Sequence, residues 1–382
     1  MRPAVAADGF EYYEYIMVYV DDLLFISLDA QSIADGLMKE VKFKGGKIAP
    51  PEMYLGARLA KKSINNYECW SVSSVDYINA AIKNVEEKLA KEGKQLPSKA
   101  DTPMSGKHSY YPELDNSDEL EGEDLTYYQE LIGILRWAIE LGRVDINHEV
   151  SVLSQFQASP REGHMEEIIH IFGYLKKKPK LQLIFTPQDH TMPASAVFNK
   201  EDTDQFLDHY RGAKEDIHPE APPPRGYPVQ LTAYVDASHA ANKSNRRSHT
   251  GYIIFAQRSP LIWYSKMQKT VESAAFGAEF IAMKTVVEHN RALRFKLRMF
   301  GVPIEGPTRI LTDNEAVFKN SSRFESTLNK KHNSVAYHVT RWAVAAKEAL
   351  IGWIPTKLNL ADPFTKRLPA AKRNESFGEW TY

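Results

Sequence analysis

Val229-Gln230-Leu231-Thr232-Ala233-Tyr234-Val235-Asp236 is the run that decides how the C-terminal half folds. It is β-rich and largely apolar, and it ends on an acid. Just before it stands Pro222-Pro223-Pro224-Arg225-Gly226, the best boundary signal in the chain, because proline can neither donate to a ladder nor continue a helix. Beyond it, strands are predicted over Gly251–Phe255, Pro260–Ser265, Thr308–Thr312 and Ile351–Pro355. Helices are predicted over Val271–Phe300, His332–Leu350 and, short and closing, Leu360–Leu368. An order β-β-β-α-β-α-β-α implies the α/β class, a mixed sheet flanked by helices.

Four acids sit at telling places on those elements. Asp236 ends the first strand and Asp313 ends the strand Arg309–Thr312. Glu279 follows Gly277 and Ala278 on the long helix, and Asp362 opens the closing helix. If the two strands pair in parallel, Asp236 and Asp313 lie side by side at the C-terminal edge, where open sheets form crevices. The small residues let the helix approach, so that Glu279 projects over the same edge. Each acid taken singly reads as a cap or a turn residue; the four together read as a site. Gathered carboxylates repel one another and take up protons unless something compensates. Oxygen donors without His or Cys suit magnesium or manganese. Two such ions, roughly 3.5–4 Å apart, can activate water and stabilise the leaving oxygen of a phosphodiester.

Upstream, Tyr15–Val20 and Leu23–Ser27 read as a hairpin with Asp21-Asp22 at the bend. Ala30–Phe43 has helical spacing, Lys47–Leu59 and Tyr67–Val72 look like a strand pair, and Ser74 caps an amphipathic helix to Lys91. Leu96–Glu123 reads as a linker. Leu125–Glu140, Asp145–Gln157 and Pro160–Lys177 form a small helical subdomain, and Thr186–Tyr227 is irregular.

The chain has 382 residues, 43% apolar and 25% charged, enough for two or three folded domains. Its 48 basic and 49 acidic residues nearly cancel, so a polyanion would be held by local basic runs rather than by net charge. Such runs are Lys42–Lys47, Lys176–Lys180, Lys243–Arg247, Arg291–Arg298 and Lys330–Lys331, each of which also reads as a solvated face. The single cysteine, Cys69, excludes an internal disulfide framework or a multi-cysteine zinc site, and reads as a packed thiol. No apolar run approaches the ~18 residues of a membrane span. Met1–Gly9 does not read as a signal peptide, and no membrane partner is expected.

Tyr234-Val235-Asp236-Ala237-Ser238, Arg246-Arg247-Ser248-His249-Thr250-Gly251-Tyr252, Trp263-Tyr264-Ser265-Lys266, Ala278-Glu279-Phe280, Thr312-Asp313-Asn314 and Asn359-Leu360-Ala361-Asp362 resemble, in order and spacing, the RNase H domain of copia-type retrotransposon Pol polyproteins. Further upstream, Tyr19-Val20-Asp21-Asp22 looks like the reverse-transcriptase hairpin that carries two of three palm carboxylates. Tyr54-Leu55-Gly56 resembles the primer-holding hairpin. Tyr127-Tyr128-Gln129-Glu130-Leu131-Ile132-Gly133 and Arg143-Val144-Asp145-Ile146 resemble the helical link between polymerase and RNase H.

The resemblance implies an RNase H-like mixed five-stranded sheet, preceded by a partial reverse-transcriptase palm and thumb (α+β) and a helical connection. The implied divisions are 1–105, 106–228, 229–368 and a tail over 369–382. It implies hydrolysis of the RNA strand of RNA–DNA hybrids, with Asp236, Glu279, Asp313 and Asp362 as catalytic ligands of two magnesium or manganese ions. Ser238 stands where many relatives carry a second Asp, which removes no ligand. Phosphate contacts fall to Arg246, Arg247, Lys266 and His338, and His332 is a second histidine of the same stretch. Asp21 and Asp22 are the polymerase remnant. Only 20 residues precede Asp21, and Asp8, Glu11 and Glu14 match the third palm carboxylate by type alone, so no autonomous polymerase activity is expected. A cytoplasmic virus-like particle or the nucleus is the implied setting. Two other readings stand beside hydrolysis: a non-catalytic remnant that binds nucleic acid, and a subunit that docks on an intact reverse transcriptase through Leu125–Lys177.

Overall fold

The computed structural model describes residues 1–20, 22–41, 48–105, 110–199, 203–328, 331–378 and 381. Asp21, the basic run Lys42–Lys47 and Lys330 lie outside the described residues.

The N-terminal strands β1 (Arg2–Val5), β2 (Glu11–Tyr19) and β3 (Asp22–Ile26) form an antiparallel sheet in that order, followed by α1 (Ala30–Glu40). Val20, at the hairpin bend, has φ +50°, the left-handed conformation a tight turn demands. Next come β4 (Met53–Tyr54), β5 (Ala57–Ile64) and β6 (Tyr67–Ser73), then α2 (Val75–Lys91). Ser74 occupies the N-cap of α2 but its buried hydroxyl makes no capping bond; the Val75 amide donates instead to Ser73 Oγ at 3.3 Å.

The helices α3 (Gly122–Glu140), α4 (Asn147–Leu153) and α5 (Glu162–Lys177) bury their apolar faces with α2 in one core that includes Ile78, Val85, Tyr128, Leu135, Ile171 and Phe172. After α5 the chain adds β7 (Leu183–Phe185) beside β6, which closes a four-stranded sheet, β4-β5-β6-β7.

The C-terminal sheet is built from β8 (Val197–Phe198), β9 (Leu231–Ser238), β10 (His249–Ala256), β11 (Ser259–Met267), β12 (Thr308–Thr312) and β13 (Ala349–Trp353). Between them run α6 (Thr203–His209), α7 (Ala275–Met299), α8 (Glu315–Ser322) and α9 (Ser334–Ala345), with α10 (Ala370–Gly378) at the end. The strand order is β11-β10-β9-β12-β13-β8. β9, β10 and β11 make an antiparallel meander; β12 and β13 continue it in parallel with β9.

Alternation along the strands gives this sheet two apolar faces. Leu231, Ala233, Val235 and Ile254 pack toward Phe280, Met283 and Val287 of α7. Tyr234, Ile253, Phe255 and Leu311 pack with Val144 and Leu183 of the preceding module and with Phe364 and Phe377. The helical module therefore covers the second face of the C-terminal sheet.

Three expectations change. The sheet has six strands rather than five, because β8 pairs antiparallel with β13. The triple-proline stretch is not where the C-terminal unit begins: β8 and α6 precede it, and Phe206 and Ala213 belong to the α7-side core. Leu360–Leu368 is not a helix but irregular chain with a 3₁₀ turn at Asp362–Phe364, and the closing helix is α10, where a tail was expected.

Candidate active site

β9 and β12 pair in parallel with Thr312 opposite Val235. Asp313 and Asp236 each follow that pair by one residue, so the register sets the two acids side by side at the C-terminal edge. Asp236 is almost fully buried. The Asp313 carbonyl accepts a hydrogen bond from Trp353 Nε1 at 3.1 Å. The next residue, Asn314, caps α8 by accepting from the Ala316 and Val317 amides. An acid at a strand end followed by an N-cap is the physical content of Thr312-Asp313-Asn314.

α7 crosses the same edge. Its first turn is pinned by Gln268 Nε2, which donates to the Ala278 carbonyl at 2.8 Å and to Thr250 Oγ1 at 2.9 Å. A Cβ at Gly277 would meet the Glu272 carboxylate, so any larger residue there would have to displace that side chain. Glu279 is thereby carried over the strand ends. Oxygens of Asp236, Glu279 and Asp313 lie within 4.8 Å of one another, and no other group of three or more such ligands gathers among the described residues.

Burial, then the charges of Asp236 and Asp313, push the Glu279 carboxyl well above its ordinary range, although Lys366 and the Ala237 backbone favour its charged form. Burial also pushes Asp236 up, against the opposing pull of Lys366 and Thr365. The three-acid group is thus short of positive charge. Glu279 Oε2 is buried and has no hydrogen-bond partner. An all-oxygen donor set, a buried orphan oxygen and mutual repulsion suit a hard divalent cation such as magnesium or manganese.

Asp362 is close by but outside that group. Its Oδ1 pairs with Lys366 Nζ at 3.0 Å and its Oδ2 with Lys372 Nζ at 2.8 Å. Lys366 Nζ also lies 3.1 Å from Asp236 Oδ2, and Thr365 Oγ1 donates to the same oxygen. The four acids expected to converge therefore divide into three together and one neutralised by lysines. Burying Asp362 without a partner would be costly, and two ammonium groups offset that cost. Burial on its own would lower the Lys366 pKa, but Asp236 and Asp362 outweigh it and push it up.

Asn359 does unforeseen work here. Its Nδ2 donates to the Val235 carbonyl at 3.0 Å and its Oδ1 accepts from the Ala361 amide at 3.0 Å. It ties the Asp362 turn to β9 next to Asp236. Thr365, Lys366 and Lys372 were equally unassigned from sequence; Thr365-Lys366, directly after the Asp362 turn, was the one local signal.

The expected phosphate-binding residues spread out. Arg246 is exposed, with φ +57°. Lys266 is exposed on β11. Arg247 lines a cleft of about 560 Å³ shared with Lys243, Lys366 and Arg367. His338 accepts from or donates to the Tyr210 hydroxyl at 2.8 Å rather than meeting the acids. His332 Nε2 lies 3.2 Å from Glu272 Oε2, just before α7. Asp22 begins β3 and is exposed.

No protein-family model matches the chain. It is 25% identical over 362 residues to a retrovirus-related Pol polyprotein from the transposon TNT 1-94 of Nicotiana tabacum, covering 94% of this chain and 23% of that protein. It is 27% identical over 278 residues to a putative transposon Ty5-1 protein of Saccharomyces cerevisiae, covering 72% of this chain and 73% of that one. Among solved structures, an N-terminal RNase H domain from Mycobacterium tuberculosis aligns at 12% identity over 39% of this chain and 97% of that chain, with a TM-score of 0.29. The chain is thus similar along most of its length to retrovirus-related Pol polyproteins of plant and yeast transposons, and spans less than a quarter of the tobacco relative.

Proposed function

We propose that the chain is the C-terminal part of a copia-type retrotransposon Pol polyprotein, and that its C-terminal sheet hydrolyses the RNA strand of RNA–DNA hybrids. The observation that carries this reading is the meeting of Asp236, Glu279 and Asp313 from β9, α7 and β12, with Glu279 Oε2 buried and unpartnered. The meander continued by two parallel strands supports an RNase H-like fold.

Asp236, Glu279 and Asp313 would hold the divalent ion. Such an ion, when bound, supplies Lewis acidity toward a phosphodiester and makes water a better nucleophile. This chain's own residues set the geometry. The Trp353 indole and the Asn314 cap fix where Asp313 stands, Gln268 fixes the start of α7, and Asn359 fixes the Asp362 turn against β9. Arg247, Lys243 and Arg367 give the neighbouring cleft positive charge for phosphates, and exposed Arg246 and Lys266 extend it. Binding would be salt-sensitive, and choice of RNA would rest on 2′-hydroxyl contacts. Residues 1–105 correspond in this reading to the end of a reverse-transcriptase palm and thumb. Asp21 lies outside the described residues, and we assign no chemistry to that hairpin. The setting would be a cytoplasmic virus-like particle or the nucleus.

The test is incubation of the full chain with magnesium and a hybrid labelled on either strand. RNA-strand cleavage that is lost in Asp313→Asn is the expected result. Hybrid binding with no turnover would replace it with the second reading, a non-catalytic remnant, which the two lysines on Asp362 favour. A subunit role through 125–177 has no such support, since α3, α4 and α5 bury their apolar faces within this chain.

A further inference from the structure

Lys366 stands between two acids that would both have to face a second ion. Its Nζ is 3.1 Å from Asp236 Oδ2 and 3.0 Å from Asp362 Oδ1. The other oxygen of Asp362 is taken by Lys372 Nζ at 2.8 Å, and Asp236 Oδ2 also accepts from Thr365 Oγ1. Both oxygens of Asp362 are therefore occupied. Glu279 Oε2, in the three-acid group, is by contrast buried and unpartnered.

The lysine is held in place by more than its own ion pairs. The Lys366 amide donates to the Asp362 carbonyl at 3.0 Å. The turn beneath it rests on Gly251, the partner of Asp236 across the β9–β10 ladder. A Cβ at Gly251 would lie 2.6 Å from Thr365 Cγ2 and 2.7 Å from Phe364 Cβ. Lys372 is positioned by α10, whose neighbouring Arg373 is buried against Glu149. The two ammonium groups are thus anchored from two directions.

We propose that Lys366 is a tethered cation between Asp236 and Asp362, so that the free protein takes up one divalent ion, at Asp236, Glu279 and Asp313, and excludes a second. This rests on reading those three acids as an ion site. An ammonium group at hydrogen-bond distance from both carboxylates fills the space a second ion needs and repels it. It also supplies there the charge that a second ion would have brought. Ion uptake by the free protein would then follow a single-site isotherm.

The experiment is titration of the full chain with manganese, counted by equilibrium dialysis and followed by electron paramagnetic resonance. Wild type is expected to bind one ion, with the spectrum of an isolated manganese. Lys366→Met is expected to bind two, with the broadened spectrum of a spin-coupled pair. Lys366→Arg, which keeps the charge, is expected to stay at one. Two ions in wild type, or one in a Lys366→Met protein whose circular dichroism is unchanged, overturns the tethered-cation proposal and leaves the three-acid site standing. Should Lys366→Met not fold, the wild-type count decides, one in favour and two against. No manganese uptake that depends on Asp313, tested with Asp313→Asn, overturns the ion site itself and this inference with it.

Discussion

Arg373 Nη2 donates to both carboxylate oxygens of Glu149, at 3.0 Å each, across 224 positions of chain. Both side chains are almost fully buried. The same guanidinium donates to the Asp145 carbonyl. Asp145 in turn holds Arg143 in a buried two-pronged pair and accepts from the Tyr174 hydroxyl at 2.8 Å. The helical module and the last helix of the chain are thus joined by one polar network. Its outer neighbour, Lys372, reaches Asp362.

Removing Arg373 leaves Glu149 buried without its main counter-charge. Burial already pushes the Glu149 carboxyl up, and Arg373 is the largest opposing influence. Arg373→Met is expected to cost about 3–5 kcal/mol, the range for stranding one half of a buried pair. Arg373→Met with Glu149→Leu should recover most of that loss, because the pair is removed together. Urea unfolding of the full chain measures both. A single-variant loss under ~1 kcal/mol, the scale of an exposed pair, would show that the network does not hold the two parts together.

Gly251 is required by proximity, not by backbone angle. Its missing side chain makes room for Phe364 and Thr365. Gly251→Ala is expected to destabilise by about 1–3 kcal/mol, the usual cost of overpacking, and to push the Thr365–Lys366 turn away from Asp236. Urea melts read the first effect. Unchanged stability would mean that the turn yields freely and is not braced by β10.

Much of this was legible in the residues, and the rest fails for identifiable reasons. Asp313 could be placed because it directly follows an apolar strand, and parallel pairing then sets Asp236 beside it, although β9 runs two residues past Asp236 to Ser238 rather than ending there. Glu279 could be placed because Gly277 and Ala278 mark close helix packing. β8 and α6 were missed because two and seven residues are too short for any periodicity to show. α10 was passed over as a tail because Arg373, a fully buried cation, looks like a surface residue until Glu149 is beside it. The lysine pairing of Asp362 was invisible for the same reason: Lys372 lies ten positions away, on another element.

Glu279 links pH to stability with a definite sign. Its folded-state pKa is raised above the ordinary 4.5, so the folded chain keeps a proton that the unfolded chain gives up. Stability contributed at this position therefore falls as pH rises from about the unfolded value toward the folded one, and the penalty persists above it. Without divalent ions, Glu279→Gln is expected to raise Tm near neutral pH and to leave it unchanged below the carboxylate range. With manganese at about 100 times its Kd, wild type should gain about 2.7 kcal/mol and the variant much less. Melting curves at the two pH values, with and without manganese, check each part. A variant less stable than wild type in the metal-free protein at neutral pH would contradict the sign.

The most direct measurement is anomalous diffraction from crystals of the full chain soaked in manganese. The account predicts a peak within coordination distance of Asp236, Glu279 and Asp313, at roughly 2.0–2.6 Å from their oxygens, and no peak there in Asp313→Asn. Manganese bound elsewhere while those three carboxylates remain empty would contradict it.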